Sequence, residues 1–93
     1  MDHRIFNLGE KVILLDRMEE EDGRWQVMIS TYVTIQYRFD EWAYFDQPEM
    51  ARQFIVDYSE HAAMQFLEFA KERWQLICAR QRIMQPYPAL NAN

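Results

Sequence analysis

From Trp25 to Phe39 the chain alternates with a strict period of two. The odd positions are Trp25, Val27, Ile29, Thr31, Val33, Ile35, Tyr37 and Phe39, all apolar or tolerant of burial. The even positions between them, Gln26, Met28, Ser30, Tyr32, Thr34, Gln36 and Arg38, are mostly polar. Successive side chains of an extended strand point to opposite faces. The pattern therefore predicts a sheet with one face on a core and one face to water.

The segments before it complete a hairpin. Lys11 to Met18 is rich in β-branched and aliphatic residues, and Asp22-Gly23 is a strong turn signal, so 11–18 and 24–31 are expected to pair. Ile5 to Leu8, closed by Gly9-Glu10, reads as a small edge strand. Fifteen extended residues would reach about 50 Å, beyond an ordinary strand. A two-residue turn near Ser30-Thr31 would reverse the parity, and it does not reverse. A three-residue loop would keep it, but Ser30-Thr31-Tyr32 offers no Gly or Asn for a left-handed position. The expectation is one long bent strand, its second half pairing with 42–45 or the N-terminal patch, after a turn at Asp40-Glu41.

Helical character begins at Asp46, read as an N-cap with Pro48 in the first turn and Glu49 three residues on. It ends at Met84, before Gln85-Pro86-Tyr87-Pro88. A span of about 37 residues is roughly 55 Å if unbroken, more than a small sheet can cover. A break near Asp57-Tyr58-Ser59-Glu60, with Asp57 and Glu60 as a second capping box, is one resolution; protrusion and pairing is the other. Ala51, Phe54, Ile55 and Tyr58 form a narrow apolar arc, whereas beyond residue 60 the arc widens to roughly 220°. The second half of the helix should therefore touch two surfaces, the second being another subunit. The expected fold is α+β: an antiparallel sheet of three to four strands packed by one long or broken C-terminal helix. Residues 1–93 form a single domain with 85–93 as a poorly ordered tail.

Composition bounds the function. Apolar residues make up 49% of the chain, with three Trp, six Phe and five Tyr, too hydrophobic for disorder. The formal charge is −5 and unevenly placed: 1–60 hold thirteen acids against six bases, a net of −7, and 61–93 hold two against four, a net of +2. That balance argues against direct nucleic-acid binding, which needs clustered Lys and Arg. It suits a protein partner with a basic surface, or contact between acidic and basic halves of two copies. Cys78 is the only cysteine, set among apolar neighbours as a buried thiol. No segment resembles a signal peptide or a membrane span, so the chain is expected in the cytoplasm.

No G-x-G-x-x-G, Walker, Ser-His-Asp or Cys-His arrangement is present. Asp57 and His61, or Glu68 and Glu72, lie one helical turn apart, but each reads as an ordinary solvated pair. No cofactor or metal is expected. The candidate partner surface is the acidic loop Glu19, Glu20, Glu21 and Asp22 with Asp40 and Glu41. Tyr32 joins it on the polar strand face. Met28, Trp42 and Tyr44 either add to an aromatic contact patch there, or, for Trp42 and Tyr44, fill the core. The candidate dimer contact is Phe66, Phe69, Arg73, Trp74, Ile77 and Arg80, with each guanidinium meeting acids of a partner. The reading is a non-enzymatic protein-binding module, a small acidic homodimeric inhibitor or adaptor of the kind that antagonises nucleic-acid enzymes. The alternative is a small-molecule-binding domain or enzyme with a pocket between sheet and helix, using His61, Arg73 or Tyr58.

Overall fold

The computed structural model describes residues 2–19 and 22–84. Glu20, Glu21 and the expected tail at 85–93 lie outside the described residues. Four strands, β1 (His3–Leu8), β2 (Lys11–Glu19), β3 (Trp25–Tyr32) and β4 (Arg38–Phe45), form one antiparallel meander in the order β1-β2-β3-β4. Two helices follow, α1 (Pro48–Asp57) and α2 (Glu60–Met84). The fold is α+β, as the sequence predicts, and the hairpin of 11–18 with 24–31 and the N-terminal edge strand are both present.

The single bent strand is not. The alternating run is two strands joined by a loop at 33–37. Parity survives because the loop holds five residues, an odd number, so Thr31 faces Phe39 and Ile29 faces Glu41 across the hairpin. No glycine is needed there. The Thr34 hydroxyl accepts the backbone N–H groups of Gln36 (3.1 Å) and Tyr37 (3.0 Å), and the Val33 N–H donates to the Tyr37 carbonyl at 2.9 Å. Asp40 and Glu41, expected to turn, lie inside β4 opposite Ser30 and Ile29. In the β1–β2 turn Gly9 does supply a left-handed residue, at φ +70.

Both helices lie on the face carrying the odd positions of β2 and β3. Ile13, Leu15, Val27 and Ile29 meet Ala51 and Ile55 of α1 and Ala63, Phe66 and Leu67 of α2, all buried. Each large side chain so buried contributes about 1.5–3 kcal/mol. Phe39 is a junction, its ring 5.5 Å from Phe66 and 5.6 Å from Phe69.

The helix ends differ from the expected caps. The N-cap of α1 is Gln47, without a side-chain cap bond, and Asp46 stays exposed outside it. The chain does break at Tyr58-Ser59, but the cap of α2 is Ser59, whose hydroxyl accepts the Ala62 N–H at 3.0 Å. Asp57 instead accepts from Gln53 Nε2 at 2.9 Å. A hydroxyl two or three residues ahead of a free N–H is the better-placed acceptor, so the local geometry selects serine. Ser59→Ala is expected to lower stability by about 1 kcal/mol in urea denaturation, and Asp57→Ala by much less. The reverse ranking would restore the Asp57 cap.

The carbonyls at the end of α1 face an unusual partner. Arg4 of β1 points its guanidinium at the carbonyls of Ile55 (3.0 Å), Val56 (2.9 Å) and Tyr58 (2.7 Å), supplying donors that helix ends lack. A second arginine cluster pins the N-terminus. Asp2 accepts from Arg17 Nε at 2.8 Å and Arg52 Nε at 3.2 Å. Arg17, then Arg52, hold the Asp2 carboxyl at about 2 against an ordinary 3.8. A depressed carboxyl stabilises the fold fully above its unfolded value and ceases to do so as pH falls through its folded value. Asp2→Asn is therefore expected to flatten the part of the acid-unfolding curve between pH 4 and pH 2. An unchanged slope there would remove the bridge from solution.

Candidate functional site

With the helices on one face, the other face of the sheet is bare. Strand register sets its side chains in rows. One row runs His3, Asp16, Met28, Trp42, and the next Ile5, Leu14, Ser30, Asp40. Gln26 and Tyr44 are opposite one another beyond the first row, and Tyr32 and Arg38 beyond the second. Paired residues of an antiparallel sheet share a face, so these rows form one continuous surface. Four strands about 4.8 Å apart, each contributing about seven residues, cover roughly 400 Å².

That surface is more apolar than the alternation in β3 alone suggests. Tyr32 (56% exposed), Ile5 (54%), Tyr44 (51%) and Trp42 (41%) all project from it, with Val12 and Met18 also exposed. Gln26, Met28 and Ser30 lie beneath their neighbours and are buried. Two arginines brace the aromatic side. Arg38 donates from Nε to Asp40 Oδ1 at 2.7 Å and places Nη2 3.0 Å from the Met28 sulfur. Arg24 bridges Asp22 at 2.8 Å and sits 5.0 Å over the Tyr44 ring. The N–H and guanidinium of Arg24 hold the Asp22 carboxyl below its ordinary value.

The expected partner residues divide over this geometry. Tyr32 and Asp40 lie on the bare face. Glu41, of opposite parity, lies on the helix side. Asp22 and Glu19 flank the β2–β3 turn, exposed. Asp22 and Asp40 are each paired with an arginine within the chain. Core filling by Trp42 and Tyr44 is overturned: both belong to the exposed aromatic patch with Tyr32, and Met28 lies buried beneath it. Ile5, Val12, Leu14 and Met18 extend it in ways the alternation of β3 alone does not show. For Val12 and Leu14 the signal is the run Val12-Ile13-Leu14-Leu15, apolar at both parities, as in strands covered on both faces.

Of the expected dimer residues, Phe66 is 5% exposed and serves the chain's own core. Trp74 stacks on Tyr37 at 4.9 Å, and Phe69 is half exposed beside Phe39. Arg73 and Arg80 are exposed and, with Ile77, line a groove on α2. Cys78 is half-buried.

The residues of a sheet–helix pocket do not gather. Tyr58 donates to the Ala62 carbonyl at 3.4 Å, and burial, then the charge of Glu41, pushes its hydroxyl up to about 12. His61 lies in an outer groove beside Met64 and Phe69, and Arg73 in another. Among the described residues, no three His, Cys, Asp or Glu side chains gather to hold a metal. No described helix is long and apolar enough to cross a membrane. Comparison with family models, with curated proteins and with solved structures returns no match.

Proposed function

We propose that this chain is a non-enzymatic protein-binding module, an inhibitor or adaptor, that works as a homodimer and docks its target on the bare face of the sheet. One observation carries the docking face: Trp42, Tyr44, Tyr32, Ile5, Val12 and Met18 project together from a sheet face that nothing in the described chain covers. The whole face covers roughly 400 Å², and these six side chains form its exposed apolar share; exposed apolar patches on monomers are often functional. Trp, Tyr and Met are the side chains enriched at interface centres.

Charge favours a protein over a nucleic acid as the target. The face holds two arginines, Arg24 and Arg38, and both are already paired with aspartates, leaving little to neutralise phosphates. The net charge of −7 over residues 1–60 would favour a basic protein as the partner of this half of the chain. Trp42→Ala and Tyr44→Ala are each expected to weaken target binding by about 2 kcal/mol or more, and to cost the fold only about 1 kcal/mol, since both side chains are partly exposed. Equal retention of the target by wild type and the double variant removes this face as the site.

A further inference from the structure

Helix α2 runs on past the sheet. Ala63, Phe66, Leu67 and Ala70 are buried, but no residue from Lys71 to Arg82 is. The overhang is about 20 Å long. Along its flank Phe69, Arg73, Leu76 and Arg80 recur at spacings of four, three and four residues, the spacing of a helix–helix seam. Phe69 is 49% and Leu76 64% exposed, and Arg73, Leu76 and Arg80 line a groove.

A seam that alternates apolar and cationic residues has a demanding partner. A wholly apolar strip would bury two guanidiniums without acceptors. Each arginine needs a carboxylate and gains from a ring. The chain meets that need twice within itself. Arg17 lies 4.5 Å over Trp25 and bridges Asp2, and Arg24 lies over Tyr44 and bridges Asp22. The same flank of α2 offers a ring and a carboxylate three residues apart, Phe69 and Glu72, both exposed.

We infer that the occupant of this seam is α2 of a second copy, packed antiparallel so that Arg80 lies over Phe69 of the second copy and bridges its Glu72, while Arg73 lies against its Leu76. The two-fold axis repeats every contact. Parallel pairing is excluded by charge, because it sets Arg73 on Arg73 and Arg80 on Arg80. Overlap of residues 69–80 is about 18 Å of paired helix, at the small end of specific interfaces, so the dimer is weak and reversible. The inference rests on the homodimer part of the proposed function and leaves the sheet face free for the target.

Sedimentation equilibrium of the full chain across roughly 10 µM to 1 mM tests it. A monomer–dimer equilibrium is expected. Arg80→Glu and Glu72→Arg should each raise the dimer Kd about tenfold or more, since each broken contact occurs twice. The double variant exchanges the charges across the axis and should return within about threefold of wild type. Circular dichroism should stay unchanged throughout, as both side chains are exposed. A dimer indifferent to these changes keeps the homodimer and overturns the seam. Single variants that weaken the dimer without rescue by the double overturn the register. A wild-type monomer throughout overturns homodimer and seam together, whether residues 85–93 or a foreign protein then cover the stripe.

Discussion

Phe66→Ala is expected to cost about 3–5 kcal/mol of folding stability, the range for deleting a buried aromatic. Phe66 is 5% exposed and lies where α2 crosses β4, its ring against Phe39. The surrounding core is close-packed, so neighbours can collapse only partly into the cavity. Total stability of a domain this size is about 5–10 kcal/mol, so the variant should sit near its unfolding midpoint in water. Phe69→Ala is the matched control. Its ring meets Phe39 on one side but is half exposed, and its loss should cost about 1 kcal/mol. Urea titration at two protein concentrations separates the roles. A core residue lowers the midpoint equally at both concentrations, whereas a subunit contact lowers it in a concentration-dependent way. Equal, small losses for both residues would return Phe66 to the dimer surface.

Arg4→Met is expected to cost about 2–3 kcal/mol, from the loss of charged donors to the partly buried carbonyls of Ile55 and Tyr58 and to that of Val56. Methionine removes the guanidinium both from these carbonyls and from its place 4.4 Å over the Phe6 ring, so the loss sums the two contacts. Arg4→Lys should recover only part of it, because all three bonds come from Nη1 and the lysine stem ends about one bond short of that position. The location of the damage is more telling than its size. Hydrogen exchange should accelerate at the Tyr58 amide, which bonds to Phe54 at the end of α1, while the β2–β3 ladder changes only by the global loss. Uniform acceleration across the chain would mean that Arg4 contributes general packing rather than a helix end.

These two arginine- and phenylalanine-centred contacts mark where local pattern stops being informative. Alternation in 25–39 identifies the core face correctly because side-chain parity is a local property of extended chain. It cannot locate a turn that preserves parity, and Thr34 closes that turn without the glycine a reader looks for. The apolar arc Ala51, Phe54, Ile55, Tyr58 is visible because one helix face meets one sheet face. Arg4 reaching α1 across fifty residues has no local signature at all. The bare face was half legible. Met28, Tyr32, Trp42 and Tyr44 stand out by residue type, but Trp42 and Tyr44 fall on that face only once the loop at 33–37 fixes the register of β4. For the same reason Asp40 and Glu41, neighbours in sequence, are divided between the two faces of the sheet.

Site-specific photo-crosslinking in the native host tests the docking face most directly. A benzophenone side chain replacing Trp42 or Tyr44 should capture a protein adduct of one mass, competed away by excess wild-type chain and not by the Trp42→Ala, Tyr44→Ala double variant. The same probe at Gln53 or Gln75, on the helix side, should give no such adduct. An adduct confined to the helix-side positions, or one that the double variant competes away as well as wild type does, would contradict the bare sheet face as the site of binding.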